Sequence, residues 1–112
     1  METLVEDGYV CLVDTPQQAI EVVNKIAPEH LQLMCEGANA LVGEVRNAGA
    51  VFLGNWGPAS IGDYLAGPSH VLPTAGTARF SGAVTVDDFQ KRMHIVEVSK
   101  SGFDAVADAV GV

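Results

Sequence analysis

The feature that most constrains the fold is an alternation of short apolar runs with amphipathic segments between residues 8 and 54. Three runs, at residues 8–14, 30–35 and 50–54, have the length and apolar character of strands, although the second could also begin with a helical turn. The segments between them, 15–28 and 37–49, carry apolar residues at helical spacing. Strand, helix, strand, helix, strand predicts an α/β fold with a parallel βαβαβ layer.

The first predicted helix has well-marked ends. Thr15 is a good N-cap, Pro16 follows at the first helical position, and Gln18 can complete a capping box with Thr15. Pro28 predicts the end of this helix. Past the second helix, Gly49 is expected to adopt a left-handed cap.

A Gly- and Pro-rich segment from residue 55 to 83 shows neither helical nor strand periodicity. A segment this long without regular structure is usually functional or disordered, and its aromatic residues argue against disorder. It follows the carboxyl end of the third predicted strand, where α/β sheets bind ligands. We therefore expect a site at that edge, formed by polar side chains of the segment: Asp63, Tyr64, Ser69 and His70.

Two residues of this segment are open to more than one interpretation. Asp63 lies between Gly62 and Tyr64, so its carboxylate could approach a cation or substrate, but an Asp in a Gly-rich loop also commonly caps a turn. His70 is followed by apolar residues, which fits an imidazole at the rim of a core as well as it fits a ligand or a base.

Glu29 and His30 form a more specific candidate. They follow Pro28 at a junction between elements, where side chains can face a cleft. A carboxylate beside an imidazole supplies two groups that transfer protons near neutral pH. Such pairs also occur on solvated surfaces, so the residues alone leave both interpretations open.

The rest of the chain carries weaker signals. Thr85 can cap a short helix through residues 86–92, residues 94–99 have strand character, and residues 101–110 show a helical apolar stripe. His94 lies inside the predicted strand, which favours a structural role. The chain lacks GxGxxG, P-loop, HExxH, CxxC and GxSxG motifs, so the common nucleotide, zinc-protease and hydrolase signatures are absent.

Charge and cysteine content exclude several classes of protein. Six basic and fourteen acidic residues give a net charge of −8, which disfavours nucleic acid and anionic membranes as partners. No apolar run approaches the roughly 20 residues of a membrane span, and the acidic N-terminus is unlike a signal peptide, so we expect a cytoplasmic protein. Cys11 and Cys35 lie in apolar stretches and are expected to be buried free thiols.

Three stretches resemble histidinol dehydrogenases, and in the same order: APEHLQL at residues 27–33, the long run from AGAVFLG to RFSG at 48–82, and DDFQKRM at 87–93. That family oxidises L-histidinol to L-histidine through the aldehyde, at the end of histidine biosynthesis. It uses NAD for two hydride transfers and a zinc ion. The likeness covers nearly the whole chain and is weakest before Gly8 and after Gly102.

The resemblance implies roles for four residues. Glu29 and His30 match the catalytic acid-base pair, Asp63 matches a zinc ligand, and His30, Asp63 and His70 match residues that bind the substrate. No residue of this chain matches an NAD-binding position, and the family's other zinc ligands have no counterpart here. His94, in particular, does not match the family's C-terminal zinc ligand.

The resemblance also sets expectations for the whole molecule. Family members are several times longer and form homodimers, so this chain is expected to be a fragment that is inactive alone. Residues 1–84 would form part of the catalytic α/β domain, with an incomplete Rossmann-like layer and the Gly/Pro-rich loop at its site. Residues 85–112 would begin a C-terminal extension and dimerisation region, arranged helix-strand-helix. The competing interpretation is a non-catalytic α/β module that binds a small ligand or a partner. A zinc hydrolase is disfavoured because no second ligand lies at helical spacing from any histidine.

Overall fold

The computed structural model describes residues 5–111. It contains two strands, β1 (His30–Leu33) and β2 (Ala50–Leu53). The helices are α1 (Pro16–Ile26), α2 (Ala38–Leu41), α3 (Ala59–Tyr64), α4 (Lys100–Asp104) and α5 (Ala107–Val110). Three short 3₁₀ helices span Val42–Glu44, Thr77–Arg79 and Val86–Phe89.

Helix α1 has the ends that the sequence predicts. The Gln18 amide donates to the Thr15 hydroxyl oxygen at 3.2 Å, and the Gln18 side chain accepts from the Thr15 amide at 3.3 Å, which completes the capping box. At the other end Ala27 adopts a left-handed conformation with φ 54°, and its amide donates to the Val23 carbonyl at 2.8 Å. Pro28 follows, and the helix has ended before it.

β1 and β2 pair in parallel, as predicted for these two segments, with His30 opposite Ala50 and Leu33 opposite Leu53. Because side chains alternate along a strand, Leu31 and Leu33 are buried whereas His30 and Gln32 face the other side of the sheet. The buried face packs against the first two helices. The core cluster comprises Ile20, Leu31, Leu33, Ala38 and Leu41.

Two other predicted strands do not form. Residues 8–13 and 94–99 have no regular structure, and their apolar side chains are exposed, with Leu12 at 95% and Ile95 at 89%. A strand needs a hydrogen-bonded neighbour, and within residues 5–111 neither segment has one. The predicted three-stranded layer is therefore a two-stranded sheet.

Cys11 and Cys35 are also exposed, so the prediction of buried thiols is wrong.

The second predicted helix, 37–49, is much shorter than expected. α2 continues only as the 3₁₀ helix Val42–Glu44, and Val45 is extended. The amides of Arg46 and Asn47 donate instead to the Asn24 side-chain oxygen on α1, at 2.7 and 3.2 Å. Hydrogen bonds to Asn24 thus take the place of the backbone hydrogen bonds that a further helical turn would have formed. Gly49 is not in the left-handed region, so its predicted cap is wrong.

The segment 55–83 is more regular than its sequence indicates, because it contains α3 and the 3₁₀ helix Thr77–Arg79. In the C-terminal part, Thr85 caps the 3₁₀ helix Val86–Phe89, and the predicted helix 101–110 is divided into α4 and α5. All buried apolar side chains among the described residues lie between Ile20 and Ala78. None of the helices within residues 5–111 is long and apolar enough to cross a membrane.

Candidate active site

The site begins where α1 ends. Pro28 separates α1 from β1, so Glu29 and His30 lie where the chain enters the sheet. The Glu29 carbonyl accepts a hydrogen bond from the Ala50 amide at 2.9 Å, and the Pro28 carbonyl accepts one from the Gly49 amide at 2.9 Å. The backbone of the Glu29–His30 pair is therefore held by the chain leading into β2.

Helix α3 brings Asp63 to this pair. The His30 Nε2 atom lies 4.0 Å from the Asp63 Oδ1 atom, and the His30 Nδ1 atom lies 3.9 Å from the Glu29 Oε1 atom. Both distances are too long for hydrogen bonds, but they put the imidazole between two carboxylates. The His30 side chain is 33% exposed, so it remains reachable from solvent. Such a group can accept a proton from a bound molecule and return it to water.

A cavity of about 330 Å³ opens beside the His30 ring, and we call it the His30 cavity. His70 and Ser69 lie on its wall, and the Val71 amide donates to the Ser69 hydroxyl oxygen at 3.3 Å, which fixes the turn next to His70. The remaining wall is mostly apolar. Besides these two residues, the lining comprises His30, Ala50, Val51, Phe52, Gly62, Asp63, Ala66, Pro68 and Leu72.

The structure thus brings Glu29, His30, Asp63 and His70 into one region, although the chain reaches it differently from the prediction. Asp63 belongs to α3 rather than to an irregular loop. His30 is the first residue of β1, so the region lies at the amino end of that strand and not at the carboxyl ends of the strands. Tyr64, expected at the same place, is exposed and does not line the cavity.

Sequence reasoning missed Phe52 and Gly62. The ring centroids of Phe52 and His30 are 6.1 Å apart with 22° between the ring planes, which is a stacked arrangement. In the sequence Phe52 is simply one member of an apolar strand. Period-two alternation from Ala50 could have put Phe52 on the same face as His30, once the parallel register was known.

A complete zinc site does not fit the described residues. No group of three or more His, Cys, Asp or Glu side chains within residues 5–111 is arranged to hold a metal ion. A catalytic zinc normally takes three protein ligands, and Asp63 is one carboxylate. Asp63, the predicted ligand, therefore does not complete a catalytic zinc site with the other described residues.

Comparisons with known proteins point to one family. The family model described as histidinol dehydrogenase matches residues 1–112. The chain is 49% identical over 109 residues to the histidinol dehydrogenase of Caldanaerobacter subterraneus subsp. tengcongensis, covering 97% of this chain and 25% of that protein. It is 48% identical over 103 residues to that of Bacillus subtilis, covering 92% of this chain and 24% of that protein.

A solved structure agrees with these matches. The crystal structure of histidinol dehydrogenase from Elizabethkingia anophelis superposes with a TM-score of 0.76 at 36% identity, over 88% of this chain and 23% of that one. The chain therefore spans about a quarter of the length of the curated relatives it matches.

Proposed function

This chain belongs to the histidinol dehydrogenase family, and from that premise we propose that Glu29 and His30 carry out the proton transfers of histidinol oxidation in an enzyme of this family. The observation that carries the proposal is the position of the His30 imidazole between the carboxylates of Glu29 and Asp63, at the wall of a cavity. The cavity could receive a small polar substrate that bears a hydroxymethyl group.

In the first oxidation, His30 accepts the hydroxyl proton of the alcohol while a hydride leaves the adjacent carbon and a C=O bond forms. NAD, when bound, supplies the acceptor for that hydride. In the second oxidation, Glu29 accepts a proton from water as the water oxygen bonds to the aldehyde carbon. Loss of a second hydride from that carbon, for which a second NAD molecule would be the acceptor, then gives the carboxylic acid. General acid-base catalysis of this kind contributes roughly 10²- to 10⁴-fold to the rate.

Asp63 and His70 are proposed to bind the substrate together with His30. All three residues line the His30 cavity, and His70 lies between Ser69 and Val71, which are joined by the hydrogen bond from the Val71 amide to the Ser69 hydroxyl oxygen. Asp63 is also proposed as one zinc ligand, and the other ligands would come from parts of the enzyme that have no counterpart in this chain. A zinc ion, when bound, would stabilise an alkoxide.

Several wider features are proposed with the function. The parallel pair β1 and β2 would belong to a larger Rossmann-like layer, within a catalytic domain that includes residues 1–84. Residues 85–112 would begin a C-terminal extension, since the described part of that segment buries no apolar side chain. A cytoplasmic homodimer that binds NAD and zinc is proposed for the complete enzyme.

The test uses a full-length Bacillus subtilis histidinol dehydrogenase in which residues 1–112 replace the matching quarter. In that enzyme we expect His30→Ala to lower kcat by about 10²- to 10⁴-fold. The matched control is His94→Ala, because His94 does not line the His30 cavity and should leave turnover unchanged. Equal turnover of the two variants would remove His30 from the reaction and favour the non-catalytic alternative.

A second measurement addresses the isolated chain. The 112-residue protein, mixed with histidinol, NAD and zinc, is expected to form no NADH above the blank. The expected result follows from the absence of a complete zinc-binding group within residues 5–111. Accumulation of NADH would show that this segment alone is sufficient.

A further inference from the structure

Phe52 and His30 share one face of the two-stranded sheet. His30 is opposite Ala50 in the parallel register, and Phe52 is two residues further along β2, so its side chain returns to the same face. There the two rings stack at 6.1 Å. Within residues 5–111 no hydrogen bond of 3.5 Å or less holds the His30 ring, so packing must set its orientation.

Gly62 packs against the tip of the Phe52 ring. A Cβ atom placed on Gly62 would lie 2.7 Å from the Phe52 Cζ atom and 2.9 Å from the Cε1 atom, closer than real Cβ contacts occur. Gly62 immediately precedes Asp63 in α3. The approach of α3 to the sheet, and with it the 4.0 Å distance between Asp63 and His30, therefore depends on a residue without a side chain at position 62.

We propose that Phe52 is a positioning residue that holds the His30 imidazole with one nitrogen toward Glu29 and the other toward Asp63, and that Gly62 leaves the space for the Phe52 ring. This inference rests on the proposed function for its catalytic consequence. Its structural content, an imidazole oriented by an aromatic ring, can be measured without any turnover. Loss of the ring frees the imidazole to rotate away from both carboxylates.

The structural test is NMR spectroscopy of the 112-residue chain. In the unchanged protein the ring current of Phe52 should shift the His30 ring protons upfield. Phe52→Leu should abolish that shift, and Phe52→Tyr should keep it. Leu53→Val is the control, since Leu53 is the next residue of β2 and does not line the cavity. Identical His30 signals in the Phe52→Leu variant and the unchanged protein would overturn the proposal.

Gly62→Ala provides a second route if Phe52→Leu does not fold. The added methyl group meets the far end of the Phe52 ring, so the ring should turn while the strand stays in place. We expect the His30 ring-proton shifts to change in this variant as well. A folded Gly62→Ala protein with unchanged His30 signals would contradict the proposed role of the glycine.

The catalytic test uses the full-length enzyme that carries residues 1–112. Phe52→Leu should lower kcat by roughly 10- to 100-fold with little change in the KM for histidinol, because misplacing a catalytic group by about 1 Å can cost about 100-fold. Phe52→Tyr should restore most of the lost kcat. If His30→Ala impairs turnover and Phe52→Leu does not, positioning by Phe52 is wrong. If His30→Ala has no effect, the proposed function fails instead, and the NMR result still decides the structural claim.

Discussion

Gly49 packs directly against the backbone of Glu29. A Cβ atom placed on Gly49 would lie 2.5 Å from the Glu29 carbonyl oxygen and 3.1 Å from the Pro73 Cδ atom. The same carbonyl accepts the hydrogen bond from the Ala50 amide. Position 49 therefore has no room for a side chain, because it is enclosed by the Glu29 backbone and by the buried Pro73.

Gly49→Ala should consequently destabilise the protein. The new methyl group must displace the backbone at Glu29, and overpacking of this kind costs about 1–3 kcal/mol. Chemical denaturation followed by circular dichroism measures the change. Gly43→Ala is the control because a Cβ atom there meets open space, and it should alter the free energy of unfolding by less than about 0.5 kcal/mol. Equal stability of the two variants would contradict the packing argument.

Asn24 joins α1 to the chain that follows α2. Its side-chain oxygen accepts from the Arg46 and Asn47 amides, and its side-chain nitrogen donates to the Glu44 carbonyl at 3.0 Å. Asn24→Ala leaves these backbone groups without their partner, so the free energy of unfolding should fall by about 1–3 kcal/mol. The exposed Asn39 of α2 provides the control, since Asn39→Ala should cost less than about 0.5 kcal/mol. A near-neutral Asn24→Ala would mean that water replaces the lost bonds.

Arg79 connects the segment that carries His70 to the end of α1. Its guanidinium donates to the Gly76 carbonyl at 2.7 Å and to the Lys25 carbonyl. Arg79→Met should therefore increase amide hydrogen exchange near residues 74–80 by about tenfold, the equivalent of a loss of about 1.4 kcal/mol in local stability. Arg92→Met is the matched control because Arg92 is exposed and contacts only the nearby Asp87 among the described salt bridges. Unchanged exchange in the Arg79 variant would show that this contact does not hold the segment.

Asp88 gives a pH dependence with a definite sign. The Thr85 amide and hydroxyl donate to its carboxylate at 2.6 and 3.1 Å, and these bonds hold the pKa of Asp88 below its ordinary value of 3.8. Because the folded-state pKa is lowered, the stabilisation is present above about pH 3.8 and is lost as the pH falls through the folded-state pKa. An NMR titration should show a higher Asp88 pKa in Thr85→Ala and no change in Thr85→Ser. If the Asp88 pKa in Thr85→Ala equals that in the unchanged protein, the Thr85 hydroxyl does not contribute to the lowered pKa, and the Thr85 backbone amide alone accounts for the effect.

Local signals along the sequence were sufficient for part of this structure. The boundaries of α1 depend on residues at or next to its ends, so they could be predicted from capping chemistry. These residues are Thr15, Pro16, Gln18 and Pro28. The parallel pairing of β1 with β2 and the membership of the histidinol dehydrogenase family were likewise predicted and are confirmed. The catalytic, substrate-binding and metal-binding roles of Glu29, His30, Asp63 and His70 remain predictions.

Apolar patterning was not sufficient where a neighbour was required. Residues 8–14 and 94–99 have strand composition but find no pairing partner among the described residues, and Cys11 in the first of these segments is exposed. Cys35 lies beyond the end of β1 at Leu33 and is also exposed. The second predicted helix ends early because the amides of Arg46 and Asn47 donate to the Asn24 side chain and not to carbonyls of a further helical turn. Asn24 is 22 and 23 residues from Arg46 and Asn47 in the sequence, so the local spacing of apolar residues does not reveal such a hydrogen bond.

The sequence by itself determined the ends of α1, the junction that exposes Glu29 and His30, and the residue types of the candidate site, because each of these depends on neighbours within a few residues. Only the tertiary structure decided that α3 packs on the face of β2 that carries Phe52, and that Asp63 lies 4.0 Å from His30 at the amino end of β1. The physical reason is close packing between α3 and the sheet: the missing side chain of Gly62 accommodates the Phe52 ring, and that contact sets how near the helix can come.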